Sequence, residues 1–491
     1  MKKFSAIVLT VVLCLSAVVA LVGCGPKAAL PNFEVPEGGY DGSDVTITFW
    51  HTMGQNLSNV LDIYIEEFNK LYPNIHVSWE KIGGYDDVRD QIKTKITVGE
   101  QPNLAYCYPD HVALYNVSGA VATLDNLISS TYETKRNDKE KPTEILGLTD
   151  AQKNDFIQGY YSEGSSFGDG LMYTLPLSKS TEVMYYNKTF FDKNNIPVPD
   201  HWFSTDENDK TSLEAVCAKI KSIDKYSIPL GYDSEANWFI TMCEQLGSPY
   251  TEVDANGNGS FLFDNETNRN FIKKFNEWYA KGYLTTQKLY GSYTSGLFVN
   301  EPKAAPNATK EDGTPIIRSY ISIGSSAGAT HQTPATDTFE VGIAEIPQAD
   351  KNNQKVISQG PSVCIFKKDN PQEVVASWIF LKYLTTTPEF QAEFSIASGY
   401  VPVIKSVMKN AVFAKHIESA DGYTHLAALS TKVCMAQEQA YYTSPAFNGS
   451  SKARDQVGAL LAKCLGLSGD IDKQIKDAFA AAIEECEFAA D

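Results

Sequence analysis

The chain has 491 residues and a formal net charge of −18, with 42 Lys and Arg set against 60 Asp and Glu. That balance repels nucleic acid and anionic lipid headgroups and leaves no basic stripe, so nucleic-acid binding is excluded as a function class. A hydrophobic fraction of 43% excludes wholesale disorder, and the length past residue 44 is too great for one core and enough for two or three domains.

The chain opens with Lys2 and Lys3, an uncharged apolar stretch (FSAIVLTVVLCLSAVV), and then Leu21-Val22-Gly23-Cys24. This order resembles an export signal ending in a lipobox, which needs a cysteine because its sulfur takes the diacylglyceryl group before cleavage. Residues 1–23 are therefore predicted to be a cleaved signal and Cys24 the lipid-bearing first residue of the mature protein. Two or more acyl chains hold a protein durably on a bilayer. The Pro/Gly-rich residues 24–43 read as a flexible tether to a body facing the extracellular or periplasmic side.

In the body, residues 45–50 alternate as a strand, 57–71 carry apolar side chains at helical spacing up to Pro73, and 75–79 form a second strand. A helix over 86–97 and a strand over 104–108 complete a pattern that predicts a parallel α/β sheet. A second block has a strand at 183–186, a short helix at 188–194, and amphipathic helices at 213–223 and 271–281. Strands follow at 316–323, 339–344 and 363–366. Helices at 373–384, 388–396, 426–440, 452–464 and 471–485 fill the C-terminal third and are predicted to pack on one lobe.

Beyond Cys14 and Cys24, seven cysteines are scattered without CxxC or metal-ligand spacing and read as buried small hydrophobes rather than a disulfide framework. Asp254-Ala255-Asn256-Gly257-Asn258-Gly259 opens like a calcium loop, but its twelfth position is Asn265 instead of a bidentate Glu, so a hairpin turn is predicted. No metal site and no cofactor are expected. Gly324-Ser325-Ser326-Ala327-Gly328 matches a nucleophile elbow, with His416 and His425 downstream, and defines a rival reading as a secreted serine hydrolase. The sequence that follows the elbow lacks the pattern of a long helix.

Several segments resemble the extracellular solute-binding proteins of bacterial ABC importers, the group that takes sugars and glycerol phosphates. They are Thr46-Ile47-Thr48-Phe49-Trp50-His51, Phe68 to Ile75, Gly99 to Leu104, Leu175-Pro176-Leu177-Ser178-Lys179-Ser180 through Lys188, Gln359 to Ser362, Trp378 to Thr385, Ser398 to Val403, Ser444 to Phe447, and Arg454-Asp455. The resemblance implies a non-enzymatic, monomeric, two-lobed α/β binding protein of the type II periplasmic-binding class, with three interlobe crossings and a helical C-terminal extension. Crossings are expected near 176–182, 314–319 and 360–364. That divides the body into a first lobe of residues 44–178 and 316–361 and a second of 179–315 and 362–491. It also implies a ligand cleft lined by Tyr85, Asp110, Lys179, Ser180, Trp238, Ser325, Gly360, Tyr400 and Arg454, and delivery of the ligand to permease subunits. Trp238 is expected to pack on the ligand. The expected ligand is a carbohydrate; glycerol 3-phosphate or another polyol phosphate is the alternative, with only Lys179 and Arg454 available as a phosphate clamp.

Overall fold

The computed structural model describes residues 32–335 and 338–490. The predicted signal, Cys24 and the tether up to residue 31 lie outside the described residues. Among the described residues, no helix is long and apolar enough to cross a membrane.

Two five-stranded sheets organise the body. The first runs Ile75–Lys81, Val45–His51, Leu104–Cys107, Ser362–Ile365, Thr174–Pro176 in spatial order. Its first three strands are parallel, and Ser362–Ile365 is antiparallel to both of its neighbours. The second runs Leu284–Thr286, Leu230–Tyr232, Ile321–Ser325, Glu182–Asn187, Val341–Ala344, again with three parallel strands followed by an antiparallel one. Each sheet is thus mixed, not purely parallel, because the chain enters it once from the opposite lobe.

Helices cover the sheets by burying one stripe. Along Gln55–Leu71 the buried set Leu61, Tyr64, Ile65 and Phe68 follows the predicted spacing. Leu213–Ile223 and Glu266–Ala280 begin at Ser212 and Asn265, whose side chains accept the backbone N–H groups of Ala215 and Asn268. Two cores result. Ile47, Phe49, Phe68, Leu175, Trp378 and Phe380 belong to the first, and Trp202, Trp238, Phe275, Ile321, Leu461 and Phe479 to the second.

The expected lobe boundaries need correction. Residues 316–361 were assigned to the first lobe, yet Ile321–Ser325 and Val341–Ala344 pair within the second sheet. Residues 362–491 were assigned to the second lobe, yet Ser362–Ile365 is a central strand of the first sheet and Val374, Phe390, Val403 and Val407 lie in the first core. The helical C-terminal third is therefore split: Pro371–Thr386 and Pro388–Ser398 cover the first lobe, and Ser450–Leu465 and Ile471–Ala490 the second. The chain passes between lobes at 177–181 and 358–361, and again between the two helical sets. The 314–319 segment is not a crossing.

The Thr251–Val253 and Gly259–Phe261 strands form a hairpin, and the Asp254 carboxylate is occupied by the N–H groups of Asn256 and Asn258 at 2.8 and 2.9 Å. The seven described cysteines are free and buried.

Candidate functional site

The site lies at the C-terminal ends of the first sheet's parallel strands, where open α/β sheets place ligands. Leu104–Cys107 runs directly into Tyr108, and Pro109 starts the Pro109–Asn116 helix, its fixed φ suited to the first helical position. Asp110 follows in that helix's first turn. From the second lobe the Ser450–Leu465 helix brings Arg454 opposite, and the 358–361 crossing brings Ser358 and Gln359. Together with Glu163 and Ser444 these residues line a small cavity of about 50 Å³. A second cavity of about 290 Å³ shares Tyr108 and Arg454 and extends between Arg89 and His111 on one lobe and Glu235, Lys288 and Asp455 on the other. Beside it the lobes touch: Arg89 Nη1 donates to Asp455 Oδ2 at 3.2 Å and to Ser451 Oγ at 3.1 Å.

Polar groups in the first cavity are buried and under-occupied. Asp110 Oδ2, Glu163 Oε2, Ser358 Oγ and Ser444 Oγ have no hydrogen-bond partner among the described residues. An unmet buried polar atom costs about 1–3 kcal/mol, and these four oxygens border the same cavity. The partly buried Arg454 guanidinium donates to Asn237 Oδ1 and lies 5.7 Å over the Tyr108 ring. Burial works against its charge, but Asp110 and nearby tyrosine hydroxyls hold its pKa above the ordinary arginine value.

An aromatic wall flanks these groups. Tyr85 stacks between Tyr108, 4.5 Å away at 21°, and Tyr106, 6.2 Å away at 13°. Burial first, and then Tyr400, pushes the Tyr85 hydroxyl well above 10, so it stays protonated. The Tyr106 hydroxyl is buried and has no partner among the described residues. His51, at the end of the neighbouring strand, is brought down to about 4 by burial and Lys81, and so is neutral.

The expected site residues separate into three groups. Tyr85, Asp110, Tyr400 and Arg454 gather on or beside the cavity walls. Lys179, Ser180, Ser325 and Gly360 sit at the crossings: Lys179 is fully buried, Ser325 Oγ and Ser180 Oγ are 3.3 Å apart, and Gly360 takes φ +97°. Lys179 spends its donors on Glu163 Oε1, Ser362 Oγ and Gly360 O, so the phosphate clamp expected of it is already committed. Trp238 is elsewhere. It is 0% exposed in the second core, stacked on Tyr232 at 4.5 Å and packed on Phe275 at 4.2 Å, and cannot meet a ligand there.

Glu163, Tyr108, Gln359 and Asn237 were missed. Tyr108 carried a usable signal, an aromatic residue between a buried strand and a helix-starting proline. Glu163 carried none, since Tyr161-Ser162-Glu163-Gly164 has no periodicity. The elbow reading also meets its geometry here. Ser326 is fully buried, its hydroxyl accepts from Thr181 N–H, and neither His416 nor His425 hydrogen-bonds to it. A 3-10 turn, Ser326–Gln332, follows it where a hydrolase needs a long helix. Among the described residues no cluster of His, Cys, Asp and Glu could hold a metal ion.

A sequence profile described as bacterial extracellular solute-binding protein matches residues 64–420. The chain is 21% identical over 373 residues to the maltotriose-binding protein of Pyrococcus abyssi, covering 74% of this chain and 68% of that one. It is 22% identical over 362 residues to the sn-glycerol-3-phosphate-binding periplasmic protein UgpB of Yersinia pestis, covering 73% and 74%. The crystal structure of UgpB from Mycobacterium tuberculosis in complex with glycerophosphocholine superposes with a TM-score of 0.67 at 16% identity, covering 90% of this chain and 99% of that one.

Proposed function

The chain belongs to the bacterial extracellular solute-binding proteins, and on that premise we propose that it captures a carbohydrate between its lobes and hands it to the permease of an ABC importer. The substrate-binding role comes from the family; family members bind solutes and are not enzymes. Sugars and glycerophosphates are what its relatives are named for, and the choice between them rests on the cavity wall. One observation carries it: Asp110 Oδ2 and Glu163 Oε2, buried and without a partner among the described residues, are carboxylate acceptors, which suit a ligand rich in hydrogen-bond donors. A sugar brings several hydroxyl donors, and its C–H face suits the Tyr108 ring. A phosphate group brings acceptors and meets two carboxylates, and the one cation lining that cavity among the described residues, Arg454, already donates to Asn237 Oδ1, as Lys179 does to Glu163.

Calorimetric titration with maltotriose, sn-glycerol 3-phosphate and glycerophosphocholine tests the reading. Binding of maltotriose and not of the two phosphates supports it; tight binding of either phosphate with none of the sugar overturns it. The anchor is a separate part of the proposal. Labelling cells with radioactive palmitate should mark the intact protein and leave Cys24→Ser unmarked, with ligand affinity unchanged by that substitution.

A further inference from the structure

Glu163 occupies two places at once. It lies in the Ser162–Ser165 turn of the first lobe, is 3% exposed, and lines the inner cavity. Its Oε1 accepts from Lys179 Nζ at 2.6 Å and from Ser362 Oγ at 3.3 Å, while Oε2 has no partner among the described residues. Lys179 is itself 0% exposed on the 177–181 crossing, and its remaining donors reach Gly360 O at 3.4 Å on the 358–361 crossing and Ser362 Oγ at 3.1 Å at the start of the strand that follows it. The two crossings also touch as backbone. A Cβ on Gly360 would stand 2.8 Å from Ser178 O and 2.9 Å from the Lys179 Cα, in a left-handed conformation that already favours glycine.

We propose that the Glu163–Lys179 pair is the link between cavity and hinge: Glu163 binds ligand hydroxyls through Oε2, and Lys179 is the positioning residue that ties this carboxylate to both crossing strands. The ligand half rests on the carbohydrate reading; the hinge half does not. A buried ion pair of this kind contributes little net stability beside apolar isosteres, but it fixes a geometry, because either ion left alone in the interior is costly. With Oε1 held, a hydroxyl on Oε2 is oriented relative to the same two strands about which the lobes rotate. Loss of the pair frees the crossings to adopt a wider range of interlobe angles.

Paired spin labels read that range without any ligand. Lys139 on the first lobe and Lys476 on the second are exposed, and the seven described native cysteines are buried. Lys139→Cys and Lys476→Cys, placed in a full chain whose Cys14 and Cys24 are changed to serine, therefore give two labelling positions. Pulsed electron–electron distance measurements are made on this parent and on its Glu163→Gln, Lys179→Met and doubly substituted forms. The expected result is a broader distribution shifted to longer separations in every substituted form. The double form buries no charge and serves where a single one fails to fold. Distributions that superimpose on the parent's overturn the proposal. Maltotriose is then titrated, and Glu163→Gln should bind at least about tenfold more weakly than the parent; equal affinity overturns the ligand half. If maltotriose binds neither form, the carbohydrate reading fails, and the ligand-free distances still decide the hinge assignment.

Discussion

Two aromatic stacks of similar geometry serve different ends in this protein. In the second lobe Trp238 lies on Tyr232 at 4.5 Å and 7°, entirely inside the core, and the Tyr232 hydroxyl donates to Glu182 Oε2 at 2.5 Å. In the first lobe Tyr85 lies on Tyr108 at 4.5 Å and 21° at the mouth of the parallel strands, next to the buried and unpartnered Tyr106 hydroxyl. Ring stacking alone does not separate structure from recognition. The difference lies in the phenol hydroxyls: that of Tyr232 is bonded inside the core, whereas those of Tyr85 and Tyr106 have no partner among the described residues, although the Trp238 indole Nε1 also lacks one.

The largest effect that sharpens this contrast is on stability. Trp238→Ala should destabilise the protein by about 3–5 kcal/mol, the range for truncating a large aromatic side chain in a core, measured by urea unfolding. A variant that unfolds like the parent but loses ligand would move Trp238 back to the binding site. The sequence could not have made this distinction. In the Glu235–Gln245 helix nine of eleven residues are buried, so no polar stripe marks which side faces the cleft. The same limit produced the misallocated lobes. The apolar runs located the 362–365 strand to within a residue and the 321–325 strand only in part, against an expected 316–323, and both lobes use the same α/β grammar. Which sheet receives a strand depends on partners far away, as when Ser362 pairs with Cys107 and Pro176. Tyr108 and Arg454 could be reached from chain position and family likeness, whereas Glu163 became visible only when the fold buried it against Lys179.

A second test uses the acceptor beneath the core stack. Burial raises the Glu182 carboxyl from its ordinary 4.5 to about 8. The folded state then holds a proton that the unfolded state releases, so this group's contribution is fully present below about pH 4.5 and is lost as pH rises through about 8. The slope is at most about 1.4 kcal/mol per pH unit. Glu182→Gln cannot ionise, so urea midpoints taken at mildly acidic and mildly alkaline pH should converge on the parent's as pH falls and exceed them as pH rises. Parallel pH curves for the two proteins would show that Glu182 titrates normally.

Tyr108→Ala probes the other stack. Its ring borders both cavities and carries Arg454 over its face. Removal should weaken maltotriose binding roughly tenfold, or about 1.4 kcal/mol, with a smaller loss of melting temperature than Trp238→Ala causes. Calorimetry beside a thermal melt separates the two, and an affinity unchanged within twofold would take Tyr108 out of the binding surface.

The smallest changes divide the stacks most cleanly, because one oxygen is deleted from each. Tyr232→Phe removes a donor from Glu182 and leaves a buried carboxyl oxygen short of a partner, so the protein should lose about 1–3 kcal/mol of stability. Tyr106→Phe removes a hydroxyl that is buried without a partner, so the melting temperature of the free protein should hold or rise. If that hydroxyl is kept for a ligand, the same variant should lose about 0.5–1.5 kcal/mol of affinity, a few-fold change in Kd. Opposite signs in stability from the same Tyr→Phe change would show that the first-lobe stack holds its polar atoms in reserve for what enters the cleft. A stability loss at Tyr106 equal to that at Tyr232 would make both stacks core.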